Sequence, residues 1–203
     1  MKTNIMMVSR LAAMVLGMTV AGATAARADE MTAYQLIKEG NRYVGEESKD
    51  KVVQIRSEKS VNGLTPIIWY IVYYDPDASL KATEVKFGAG KKLTVRRPFR
   101  LLEPVTGDTS TLNRDQMKID SDRAIQIALK EPLLDKLTVK ATELRLVRAG
   151  DMFERDNKAP VWRVRLWAAK LRNPNRDADI GEVVIAAEDG KVLKTDLHIN
   201  RVD

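Results

Sequence analysis

Residues 160–194 restrict the possible folds more than any other stretch of the chain. After Pro160, the side chains of Trp162, Val164 and Leu166 fall on one side of an extended backbone, and Arg163, Arg165 and Trp167 fall on the other. Past a polar stretch at 173–179, β-prone segments at 180–188 and 191–199 flank Asp189 and Gly190, the strongest short hairpin signal present. Alternation of this kind requires a sheet with one face buried.

A weaker copy of the same pattern lies upstream. Residues 67–74 are all branched or aromatic, and 82–87 and 91–97 flank Gly88, Ala89 and Gly90 as a second hairpin. Trp69 matches Trp162, each shortly after a proline (Pro66, Pro160). Tyr74 matches Trp167, and Gly90-Lys91-Lys92-Leu93 matches Gly190-Lys191-Val192-Leu193. Each copy is preceded by a helix and a strand. Thr32 and Gln35 form a capping box before Ala33, Leu36, Ile37, Tyr43 and Val44. Asp120 or Ser121 caps a helix through Ala124, Ile125, Ile127, Ala128 and Leu129, which Pro132 ends or kinks. Strands are expected at 52–59, with Val53 and Ile55 on one side, and at 138–148.

The N-terminus has the organisation of an export signal. Lys2 and Arg10 precede an apolar run at 11–23, and Ala26-Arg27-Ala28 is a small-x-small cleavage site ahead of Asp29. A cut after Ala28 puts the mature protein in the periplasm or outside the cell, with no membrane span in the mature chain. The removed segment holds three basic residues and no acid, so the net charge falls from +6 to +3. With those charges interspersed, nucleic-acid binding loses its main support. There is no cysteine, so disulfides cannot staple the fold.

The second half also resembles a known family. The helix start at 119–128, the strand from Pro160 to Val164 and the hairpin from Glu188 to Val192 look like a PepSY domain, over roughly 118–197. Residues 31–97 are similar in pattern only. The resemblance implies a β-lactamase-inhibitor-like α+β fold: two tandem modules, each a helix packed on one face of a small antiparallel sheet. The expected organisation is a signal peptide at 1–28, a divergent first module at 29–97, a linker at 98–117 and a second module at 118–203. PepSY-type modules are extracytoplasmic, occur in propeptides of secreted peptidases, and bind or inhibit other proteins. They share no catalytic residues, so none carries over.

The residues themselves support no enzyme. His198 is the single histidine, too few for a zinc site in a chain without cysteine. The Gly-x-Ser-x-Gly elbow and the Walker and Rossmann glycine patterns are absent. Asp75 and Asp77 flank a proline in a turn, where Asp is common for conformational reasons. Asn173, Asn175, Asp177 and Asp179 space oxygen ligands as calcium loops do, but Ala178 and Val184 stand where an EF-hand needs Gly and Glu. No cofactor and no metal site is expected.

A helix covers only one face of such a sheet. The other face then carries Ile68, Tyr70, Val72 and Tyr74 in the first half and Arg163, Arg165 and Trp167 in the second. Tyr, Trp and Arg are the residues most enriched in interface hot spots. The expectation is a non-catalytic binding protein that meets an extracytoplasmic protein, for example a peptidase, through Tyr70, Tyr74, Arg163, Arg165 and Trp167. Arg96, Arg97 and Arg100 either extend that surface toward an acidic partner or form an ordinary solvated run, the reading favoured for such a charge cluster. Packing of the two halves on each other and plain exposed sheet remain open for the same face. The alternative function is a small-ligand or calcium-binding module, using a groove between the sheets or the 173–179 loop.

Overall fold

In the computed structural model, which describes residues 31–99, 105–151 and 157–203, all eight strands join one antiparallel sheet. The first half supplies α1 (Ala33–Gly40), β1 (Val52–Ser57), β2 (Ile68–Tyr74), β3 (Ala82–Gly88) and β4 (Lys91–Arg96). The second supplies α2 (Ser121–Ala128), β5 (Val139–Arg148), β6 (Pro160–Ala169), β7 (Asp177–Ala186) and β8 (Val192–Leu197). The spatial order is β4-β3-β2-β1-β5-β6-β7-β8. The proposed export signal at 1–28 and Arg100 lie outside the described residues.

This corrects the expectation of two tandem modules, each a helix packed on one face of a small antiparallel sheet: the strands of both halves form one large sheet. A four-stranded sheet ending at β1 would leave a row of backbone donors and acceptors unpaired, and β5 would do the same. Each edge satisfies the other. Ile55 pairs with Leu146 and Arg56 with Arg145. Two serines extend the seam beyond the ladder: Leu144 N–H donates to Ser57 Oγ at 2.9 Å, and Thr142 N–H to Ser60 Oγ at 2.9 Å.

The register relates the two halves residue by residue. Trp69 lies between Ser57 and Phe87, and Trp162 lies between Leu146 and Ile185. Both outer hairpins slip register at the corresponding step, Lys86/Phe87 and Val184/Ile185. In this frame Arg56 corresponds to Arg145, and these two residues pair with each other across the seam. An approximate two-fold axis therefore passes through that pair.

Both helices lie on one face, over a core drawn from both halves. Trp69, Ile71, Tyr73 and Phe87 join Trp162, Val164, Leu166, Ile180 and Ile185 in one cluster, all essentially buried. Full burial of each such side chain contributes about 1.5–3 kcal/mol, so the shared core outweighs any single polar contact in the seam. The helix starts interlock. Thr32 and Gln35 complete the capping box on α1, and Asp120 caps α2. Asp120 also accepts the Tyr34 N–H, and the Tyr34 hydroxyl donates to Ile119 O at 2.7 Å while its ring stacks on Trp162 at 6.2 Å. One half thus caps and packs the other.

Two strand readings change. A bulge between Val52 and Gln54 sends Val52 and Ile55 to the main core and Val53 to the opposite face, where it packs with Val72, Ala82 and Val105. The stretch 177–179 is strand, not loop, because β7 begins at Asp177 and pairs with β6 as far as Ala169. Among the described residues no helix is long and apolar enough to cross a membrane.

Candidate functional site

The face opposite the helices carries the chemistry. One register row crosses it as Lys86, Tyr70, Arg56, Arg145, Arg163 and Val184, on six neighbouring strands. Three guanidinium groups on adjacent strands repel one another unless counter-charges stand beside them. The two halves supply these from corresponding positions. Glu84, aligned with Val72, lies 2.8 Å from Arg56 and 2.7 Å from Arg96. Glu182, aligned with Arg165, takes a forked contact from Arg163: Nε donates to Oε2 at 3.1 Å and Nη2 to Oε1 at 3.0 Å. A planar guanidinium with two donors matched to a carboxylate is the most directional ion pair a protein makes.

Tyr70 is nearly buried, and its polar tip is committed. The Arg56 guanidinium sits 3.7 Å from its ring centroid, Lys86 Nζ sits 4.9 Å from it, and its hydroxyl donates to Glu58. That hydroxyl, with the Lys86 and Arg56 charges, holds the Glu58 carboxyl below its ordinary range. Tyr74 packs with Val72, Ala82 and the linker residue Val105, so part of the first half's face is already covered by the chain itself.

The second half's face is open around Arg165 and Trp167, whereas Val147, Val161 and Val184 on the same face form a buried cluster. Trp167 is half-buried between two cations: Lys59 Nζ at 4.9 Å and the Arg165 guanidinium at 5.7 Å from its ring. Each cation is anchored, Lys59 to Asp177 at 2.7 Å and Arg165 to Asp179 through Nε at 2.9 Å. Burial works to raise the Asp179 pKa, but the Arg165 and Gly181 hydrogen bonds prevail and hold it low. These two carboxylates were the acidic half of the sequence's calcium-like spacing. Here they are cation partners, and among the described residues no group of three or more His, Asp and Glu side chains could hold a metal ion.

The five expected surface residues share this face but do not form one patch. Tyr70 and Arg163 lie in the same row, three strands apart. Because β2 and β6 run in opposite directions, Tyr74 and Trp167 extend from that row toward opposite ends. By strand rise and spacing they are about 30 Å apart, at diagonal corners. Arg56 and Arg145, the centre of the row, were not expected as site residues. Their alternation is visible in the sequence, but their meeting depends on the β1–β5 pairing, which local pattern does not encode.

Other candidates resolve into structure. Burial works to raise the Asp75 pKa, yet the Thr83 hydroxyl, the Asp77 N–H and the Arg97 charge hold it low, which suits a turn anchor and not a proton donor. His198 is exposed just past β8, 3.3 Å from Asp196. A groove of about 780 Å³ opens at one end of the seam, lined by Lys59, Asn62, Leu64, Lys140, Arg176 and Asp177 among others.

Compared with protein-family models, curated proteins and solved structures, the chain matches none. The PepSY resemblance therefore rests on the residues that carry it.

Proposed function

We propose that this chain is a non-catalytic binding protein of the cell envelope that docks another extracytoplasmic protein on its uncovered sheet face. The observation that carries the reading is the group around Trp167. An aromatic ring flanked by Lys59 and Arg165, with Arg163 in the adjoining row, stands on a rigid central strand and faces away from both helices. Aromatic and Arg side chains on a pre-organised surface lose little entropy on binding and are the residues that most often dominate interfaces. The n-region, apolar run and Ala26–Ala28 site support export, and the PepSY resemblance supports binding or inhibition of a partner such as a peptidase.

The double variant Arg165→Ala/Trp167→Ala tests this. It is expected to lose capture of a partner from periplasmic extract while its circular dichroism stays unchanged. Tyr74→Ala, at the far corner, is expected to retain capture. Equal capture by all three proteins would reject the surface.

A second reading takes the groove at the seam as a small-ligand site. Lys59, Lys140 and Arg176 outnumber Asp177 along its lining, which favours an anion over calcium. A rise in melting temperature with a small dicarboxylate but not with calcium would support it.

A further inference from the structure

The sheet ends in two edges of different character. Among the described residues β4 pairs only with β3, and all six of its own residues are exposed. From 85 to 100 the chain holds Lys86, Lys91, Lys92, Arg96, Arg97 and Arg100 without a single Asp or Glu. The opposite edge, β8, mixes its charges: Lys194 lies 3.3 Å from Asp196, and Thr195 donates to Glu131. Only the β4 edge is uniformly basic.

Apolar side chains are interleaved with these cations. On the helix side, Val95 (43 % exposed) is aligned with the core residue Val85 and shares a hollow of about 400 Å³ with Tyr43, Val44, Thr83 and the Arg97–Asp75 ion pair. Lys92 Nζ lies 5.4 Å from the Tyr43 ring centroid, at the margin of that hollow. On the other side Arg96 is aligned with Glu84 and Thr94 with Lys86. An edge strand offers outward backbone donors and acceptors, and alternate side-chain positions then select what is added.

We propose that β4 accepts an extended acidic segment of a partner protein as an added strand, with apolar residues at alternate positions. The apolar positions rest in the Tyr43–Val95 hollow, which Lys92 borders, and the carboxylates meet Lys91 and Arg96 on the other face. A second copy of β4 is disfavoured, because it would set these cations against one another. Lysines on an edge deter self-pairing, and the charge that repels a basic edge attracts an acidic one. This site is separate from the Trp167 face and does not depend on it.

The test uses a fluorescein-labelled peptide alternating Glu and Val, read by anisotropy against the full mature chain. Saturable binding is expected, with slowed amide exchange along 91–96. Lys91→Glu/Lys92→Glu is expected to weaken it by about tenfold or more, through loss and reversal of the complementary charge. Lys91→Gln/Lys92→Gln gives the same sign if the reversed pair folds poorly. Trp167→Ala leaves binding unchanged. A probe N-methylated at every residue keeps its charge but has no N–H to donate from either edge, and is expected not to bind. Equal binding of that probe would overturn strand addition. Binding of phosphatidylglycerol vesicles with the same lysine dependence, and none of the peptide, would make the edge a membrane-facing surface and overturn the proposal as well.

Discussion

Arg56 and Arg145 pair directly across the β1–β5 seam, and each is the other's counterpart in the repeat. The ladder that joins the halves thus includes a like-charged pair on the uncovered face. Glu84 beside Arg56 and Glu182 beside Arg163 offset the repulsion. The seam's own stability comes from the opposite face and from two serine hydroxyls.

Ser57→Ala tests that seam. It strands the buried Leu144 N–H, which donates to Ser57 Oγ, and is expected to cost about 1–3 kcal/mol in urea unfolding. Because one core spans both halves, unfolding should remain a single transition by tryptophan fluorescence and by circular dichroism. Two separated transitions would mean that the halves fold independently.

Gly181 stands at φ +106°, where a Cβ would lie 2.0 Å from the Asp196 carbonyl oxygen of β8. Neither the backbone conformation nor the neighbouring strand can accept a side chain without moving. Gly181→Ala is expected to destabilise by more than about 2 kcal/mol and to speed amide exchange in β8 first. An unchanged urea midpoint would contradict this packing.

The three tryptophans differ in access. Trp69 and Trp162 are buried, whereas Trp167 is half-buried on the uncovered face. Acrylamide should quench one component of the emission, and Trp167→Phe should remove it. Persistent quenching in that variant would place another tryptophan at the surface.

Acid should destabilise the fold. The carboxyls of Asp50, Glu58, Asp75 and Asp179 all sit below their ordinary values in the folded chain. Their contribution is full above the unfolded values of 3.8 for Asp and 4.5 for Glu, and is lost as pH falls through the depressed folded values. Asp120 has the opposite sign: burial raises it, so its protonation on acidification favours the fold and partly offsets the loss. Urea midpoints should fall as the pH drops below 4.5 and then 3.8, and Asp179→Asn should flatten that fall. A midpoint rising toward pH 3 would contradict these signs.

Local chemistry was legible and long-range pairing was not. The Thr32–Gln35 capping box, the turn glycines Gly90 and Gly190 at positive φ, and the inward set Trp162, Val164 and Leu166 follow from rules spanning a few residues. The correspondence of Trp69 with Trp162 and of Tyr74 with Trp167 was readable because aromatic residues mark the strands. The single sheet was not, because it rests on Ser57 and Ser60 meeting β5 more than eighty residues away, and a serine in a strand carries no address. The shift of Val53 off the core side came from a bulge that strict alternation cannot anticipate. Asp177 and Asp179 looked like loop ligands because their partners, Lys59 and Arg165, are set by register. The same limit hid the diagonal separation of Tyr74 and Trp167, since strand direction decides it.

The binding account is tested most directly by site-specific photo-crosslinking in the periplasm, with a benzophenone side chain placed in turn at Arg165, Trp167, Tyr74 and Leu193. One discrete protein adduct is expected from positions 165 and 167 and none from 74 or 193. Adducts from position 74 or 193 alone, or no adduct from 165 and 167, would contradict it.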